Sequence, residues 1–327
     1  MRARKTEILL VTAGLALFAL VLSKIGWDSA LHELRRVWIV VPILVGLSAI
    51  RLLLQTRSWE LALREEGVQT NFGELMGIRL ASQSVGYLSV LGPAVSEPMK
   101  IKLLGNNWKT STTATLVDSG VYWFSSAVIG IVGCIAAAIA LAHGRYGVTL
   151  FVIAALFVLS AGLLFRQKPI LSSLVELSKG RGPQWLERGA ELEAQIRMFR
   201  ERHPEALRAM MRLDLVCQIL LVAEAVIVIS VAKLPVHLFA ILGIEAAVRV
   251  AKMTSGWIPA RIGADEGGAA AAFASFGLSP AAGLMLALAR RSRDFLWCVL
   301  GLGWLAWRSY QGKKTQVVPT EVCLTCR

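Results

Sequence analysis

Two uncharged runs decide what this chain can become. Residues 119–144 and 146–165 contain no Asp, Glu, Lys or Arg, and about 20 apolar residues carry a helix across a hydrocarbon core of about 30 Å. Over all 327 residues 55% are hydrophobic and only 17% charged, with a mean hydropathy of +0.59. A soluble chain of this size has roughly a quarter of its residues charged, so an ordinary cytosolic globule is excluded. The 35 Lys+Arg against 22 Asp+Glu leave a formal net charge of +13. A nucleic-acid partner needs a solvated basic face, which so apolar a chain does not offer, and none is expected. The expected fold is all-α: a polytopic integral membrane helix bundle of about 7–8 transmembrane helices.

Residues 8–23, 38–54, 210–232, 237–257 and 283–307 are further spans, and 72–91 is a weaker one because it carries Glu74 and Arg79. Arg2, Arg4 and Lys5 precede the first apolar run, but no small-x-small cleavage site follows, so that run is expected to stay as an anchor. Tryptophans at 27, 38, 59, 108, 257, 304 and 307 fall near span ends, where rings prefer the headgroup level. The expected organisation is a first membrane half over 1–165, a basic connecting loop over 166–208, a second half over 209–308 and a polar tail over 309–327. In the loop, Trp185, Leu192, Ile196 and Phe199 are spaced for one helical face. That face suits a membrane surface or a partner, and a solvated linker helix suits the spacing equally.

The two halves carry a weak internal repeat. In the first, an apolar helix reaches Gly92 and Pro93, Glu97 follows, then Gly105 and a helix through Asp118. In the second, the order is Pro259, Gly263, Asp265 and Glu266, Gly267 and Gly268, then Gly277 and a helix through Arg290. Proline lacks the amide that a continuing helix needs, and glycine permits unusual dihedrals, so breaks are expected near 91–105 and 258–277. Broken or re-entrant helices at membrane depth survive only where protein or a water-filled cavity satisfies their backbone, and paired breaks mark transporter sites. Ordinary interfacial loops ending at proline are the alternative.

Charge is concentrated around these breaks. Glu245, Arg249 and Lys252 share one helical face, as do Arg290, Arg293 and Asp294, with Arg291 adjacent. Each such charge costs about 3 kcal/mol in lipid, so pairing is expected, with Glu245–Arg249 and Arg290–Asp294 at i, i+4 spacing. Five basic groups against two acids leave a positive excess that a phosphate would balance, since arginine presents a planar fork to its oxygens. In the first half Ser111, Thr115, Asp118 and Tyr122 form a polar stripe, with Lys100 and Lys102 beside the break. Interhelical salt bridges that lock a bundle explain the same charges. Asp265 and Glu266 stand where a helix begins, so capping explains them as well as titration does.

The stretches 92–105 and 258–268, with Phe276-Gly-Leu-Ser279 and the arginine-bearing last helix, resemble the lysylphosphatidylglycerol synthase transmembrane-region family of flippase-like proteins. The likeness runs from about residue 5 to 310, and its most specific element is Pro259, Gly263 and Glu266. In the first stretch this chain has Ser96-Glu97 and Lys100 where the family often has a Gly-Asp/Glu pair followed by Arg. The resemblance implies a polyhelical domain with re-entrant segments, associated with moving lipids between leaflets. Some relatives are fused to a soluble aminoacyl-transfer domain, and some single-domain members are linked to hopanoid synthesis. With about 20 residues after Arg308, no aminoacyl-transferase domain is expected here.

No catalytic motif emerges. The four histidines are isolated, Gly312-Lys-Lys-Thr315 lacks the upstream glycine of a phosphate loop, and Cys323-x-x-Cys326 stands alone in the tail. No cofactor and no metal site are expected, and Cys134, Cys217 and Cys298 read as packing residues. The leading expectation is a lipid translocase or lipid-binding transporter in a bacterial inner (cytoplasmic) membrane, acting on an anionic or phosphorylated lipid, with lipid-biosynthesis proteins as partners. Its substrate-binding set is Glu97, Lys100, Lys102, Asp118, Tyr122, Glu245, Arg249, Lys252, Pro259, Arg261, Asp265, Glu266, Arg290, Arg291, Arg293 and Asp294. The alternatives are an integral-membrane enzyme on a polyprenyl or phospholipid, with Glu97 or Glu266 as acid/base, and a non-transporting scaffold in a lipid-synthesis complex.

Overall fold

The structure, a computed structural model, describes residues 27–89, 92–105, 108–140, 184–234, 237–255, 258 and 261–315. Among these residues there are nine helices and no strand: α1 Trp27–Glu65, α2 Phe72–Leu88, α3 Pro93–Leu104, α4 Trp108–Ala140, α5 Gln184–Arg202, α6 Pro204–Val231, α7 Leu238–Thr254, α8 Ala264–Ser275 and α9 Pro280–Thr315. The expected spans at 8–23 and 146–165, and Cys323 and Cys326, lie outside the described residues. Three described stretches are long and apolar enough to cross a membrane: Val40–Glu65 in α1, Trp108–Ala138 in α4 and all of α6. At about 1.5 Å per residue, the 17 residues of α2 and of α7 fall short of a tilted crossing, and the 12 of α3 and of α8 fall further short. α9 has the length, 36 residues, and carries four of its charges, Arg290, Arg291, Arg293 and Asp294, within its apolar stretch. It runs to Thr315 rather than ending near Arg308.

The repeat is much stronger in the fold than in the sequence. A 17-residue helix, a break, a 12-residue helix, a left-handed glycine and a long helix follow one another twice, as α2–α3–α4 and as α7–α8–α9. The equivalent break residues are Gly92 (φ 43°) and Gly263 (φ 78°), which cap the short helices, then Gly105 (φ 69°) and Gly277 (φ 71°), which end them. Alignment on the prolines obscures this match, because Pro93 sits inside the short helix whereas Pro259 precedes the capping glycine. These positive φ values favour glycine, whose missing Cβ removes the clash any other residue meets there.

Packing follows the same symmetry in crossed form. α4 of the first half packs chiefly on α7 of the second, α9 of the second chiefly on α2 of the first, and α1 on α6. α1 against α9 and α6 against α4 complete the exchange. Apolar burial adds little between helices in lipid, so close approach has to come from small residues. A Cβ on Gly133 of α4 would collide with the Leu242 carbonyl of α7, and one on Gly301 of α9 with the Leu80 carbonyl of α2. Gly77 and Gly243, each sixth in its 17-residue helix, receive Trp304 and Phe276. One buried cluster joins Val40, Leu44, Ile244, Phe273 and Met285 across the two halves.

Two expectations change here. Trp59 is fully buried instead of lying at the interface, clustered with Leu63, Ile78, Phe199 and Met210. The amphipathic face of α5 is covered by the chain's own helices: Phe199 is buried, Ile196 packs on that cluster, and Gln195 accepts a hydrogen bond from Thr113 of α4. The side chains of Trp185 and Leu192 lie outside the described residues.

Gly301→Ala is expected to destabilise the protein by about 1–3 kcal/mol through overpacking. Gly303→Ala, with nothing within 4 Å of its added Cβ, should be neutral or stabilising by up to about 1 kcal/mol. Thermal unfolding of the two variants in detergent checks the pair.

Candidate functional site

The buried charges of the bundle fall into two sets around one cavity. In the first half, Arg79 is the eighth residue of α2 and Asp118 the eleventh of α4, and their side chains form a buried ion pair. In the second half, Glu245 is the eighth residue of α7 and Arg290 the eleventh of α9, paired at 2.9 Å. The same register therefore holds the same bond with its polarity reversed. Each half fastens its 17-residue helix to its long helix by a charge pair in a medium that penalises any unpaired charge.

Around Arg290 the pairing is dense. Its guanidinium also donates to the Leu221 carbonyl at 3.0 Å and lies 3.3 Å from Glu224. Glu224 of α6 is fully buried and also receives Arg293 and, at 3.4 Å, Arg51 of α1. Arg293 donates to Asp294 at 2.8 Å. Arg249 donates to Gln218 of α6 at 2.7 Å and Ser126 of α4 at 2.8 Å, with Glu245 at 3.6 Å. The expected Glu245–Arg249 pair is present, whereas Arg290 bonds to other helices and Asp294 to its chain neighbour.

At the second break Glu266 takes the capping role: its carboxylate accepts from the Gly263 amide at 2.9 Å and lies 2.7 Å from Arg291. Asp265 instead lies 3.6 Å from Arg261. At the first break Lys100 reaches Glu97 at 2.9 Å. Both Arg79 and Lys100 stand over the ring of Trp59, at 5.7 and 5.8 Å from its centre.

Between the halves lies a cavity of about 780 Å³, lined from α1, α2, α3, α4, α6, α7, α9 and the second break. Ten of the sixteen expected site residues face it: Glu97, Lys100, Asp118, Tyr122, Glu245, Arg249, Lys252, Arg261, Arg293 and Asp294. Asp265, Glu266, Arg290 and Arg291 stand in ion pairs outside its lining, Lys102 is exposed on α3, and Pro259 lies outside the described residues. Arg51, Arg79, Gln83 and Tyr87 line it as well. Arg51 and Arg79 were each visible as a basic residue inside an apolar segment, and Glu224 as one of the two acids of the 210–232 run, with Asp214. The five-to-two excess expected around α7 and α9 shrinks once Glu224 and Glu266 take their places. At the cavity wall itself, seven basic side chains face four acidic ones. Lys252 has no ion pair among the described residues, and Nε and Nη2 of Arg249 are buried without a hydrogen-bond partner.

Apolar spans, paired helix breaks and a charged internal cavity define an integral membrane protein built from two crossed halves. The family model for the lysylphosphatidylglycerol synthase TM region matches residues 7–303, and the chain belongs to that family, tied to lipid synthesis or translocation. No curated protein and no solved structure matches it.

Glu224→Gln leaves three arginines short of a carboxylate, and breaking a buried pair costs about 3–5 kcal/mol. The variant is therefore expected to lose its folded, monodisperse state in detergent at temperatures that the unaltered protein withstands.

Proposed function

We propose that the cavity receives the anionic or phosphorylated headgroup of a membrane lipid, and that the two halves move that lipid between leaflets of a bacterial inner membrane. The observation that carries this reading is Lys252, in no ion pair among the described residues, beside Arg249 on a wall with more cations than acids. An anion completes such a wall, and arginine with lysine supplies both the fork and the point charge that phosphate oxygens take. A volume of about 780 Å³ lies within the range of cavities that hold a small ligand or a headgroup. Gly92, at the N-terminus of α3, adds the positive end of a helix dipole to the same wall. Exposed Leu and Phe side chains on α7 and α9, such as Phe239 and Phe295, suit acyl chains staying in the bilayer.

Acid/base chemistry is poorly supported by this geometry. Glu266 is held by Arg291 and its own helix cap, away from the cavity, and Glu97 is tied to Lys100. A role beside lipid-biosynthesis proteins fits a transporter that receives its cargo from them.

The test is leaflet exchange of a fluorescent phosphatidylglycerol in vesicles containing the purified protein. Lys252→Ala and Arg249→Ala are expected to slow exchange on the order of tenfold each, the worth of one charge-assisted hydrogen bond, with Lys252→Ala folding normally. Exchange at the unaltered rate in both variants contradicts the reading, and a chemically altered lipid in the mass spectrum favours an enzyme.

A further inference from the structure

Behind the first-half ion pair stands a carboxylate that the headgroup reading does not use. Asp214 of α6 is 1% exposed, accepts a hydrogen bond from Ser58 of α1 at 3.1 Å, and is the one described buried carboxylate without an ion pair. The charged groups acting on it are Asp118 and Arg79. Asp118 in turn senses Lys100 and Glu97 of α3, and Cys217, one turn along α6, donates to the Arg51 carbonyl at 3.7 Å. Arg79 gives Asp118 a single nitrogen, and its Nε and Nη1 are buried with no hydrogen-bond partner. With every group ionised, the cluster holds two cations, Arg79 and Lys100, against three anions, Glu97, Asp118 and Asp214. A net negative charge in a water-poor interior is costly, and one proton on a carboxylate oxygen removes it.

We propose that Asp214 and Asp118 form a proton-binding site around Arg79, coupled to occupancy of the cavity. Arg79, Lys100, Glu97 and Asp118 all line that cavity, whereas Asp214, 1% exposed, is not part of its lining. An anion entering beside Arg79 and Lys100 adds negative charge to a cluster already short of cations. The carboxylates then take a proton from water. Binding is thereby linked to uptake of about one proton, and by the same linkage acid strengthens binding, up to about tenfold per pH unit. Buried carboxylates in membrane proteins serve as proton relays for this reason. The inference rests on the cavity being an anion site, and it names the ion whose movement accompanies the lipid's.

The experiment is calorimetric titration of the full chain in detergent with short-chain phosphatidylglycerol and, separately, with inorganic phosphate, each in two buffers of different ionisation enthalpy. The difference between the unaltered protein and Asp214→Asn isolates the proton from any that phosphate itself exchanges. About one proton more per ligand in the unaltered protein, with binding retained by the variant, is the expected result. The ligand that shows it identifies the source as lipid or free anion. Equal proton uptake in both proteins overturns the proposal. Infrared difference spectra between alkaline and acid pH supply a readout independent of any ligand: a carboxylic acid C=O band that grows as the pH falls, and that is missing in Asp214→Asn, is expected. Its absence from the unaltered protein overturns the proton site even if the variant cannot be purified. If neither ligand binds, the headgroup reading fails, and the infrared band alone decides whether the proton site exists.

Discussion

A charge inside a bilayer must be neutralised where it stands, and this requirement organises the bundle. Glu224 gathers arginines from α1 and α9, Arg290 joins α6, α7 and α9, and Arg79 ties α2 to α4. These bonds link helices far apart in the chain, and apolar packing in lipid discriminates poorly between one neighbour and another. The ion pairs therefore specify which helices meet, and the glycines at their crossings set how closely. What remains after pairing is the functional surplus. Lys252 stands in no ion pair among the described residues, and nitrogens of Arg249 and Arg79 are buried without a hydrogen-bond partner; the proposed headgroup site draws on this remainder.

The crossed arrangement gives the two halves a shared interior. Because α4 packs on α7 and α9 on α2, the long helix of each half lies against the 17-residue helix of the other, and all four line the cavity. Short helices that begin at Gly92 and Gly263 place free backbone ends inside the bundle, a placement tolerated only beside protein or water. Polarity reversal between Arg79–Asp118 and Glu245–Arg290 leaves the halves equivalent in register and opposite in charge order. The first-half cluster is rich in acids and the second in bases.

Much of this was legible in the residues. The apolar runs required helices, and the glycines and prolines near 92 and 263 required breaks. Glu245, Arg249, Lys252 and Arg293 stood out because helical spacing put charges on faces that lipid penalises. Which charges would pair was not legible beyond i, i+4. Arg290 found Glu224, 66 residues away in the chain, because tertiary packing brought α6 and α9 together, and no local spacing encodes that. Trp59 stands near a span end, where an interfacial ring is expected, yet it is buried in an apolar cluster with Arg79 and Lys100 over its ring. Asp214 was hidden for a simpler reason: an acid near the start of the 210–232 apolar run looks like an interfacial residue until burial is known.

The central claim is that the paired breaks open a hydrated, anion-accepting cavity between the halves, and its most direct measurement is labelling by a membrane-impermeant thiol reagent in a cysteine-free background. Gln83, exposed on α2 and lining the cavity, is replaced by Cys, with Ile135 on the outward face of α4 as the reference position. The account predicts rapid labelling at position 83 that short-chain phosphatidylglycerol suppresses, and little labelling at position 135. Equal, slow labelling at both positions, unaffected by the lipid, contradicts it.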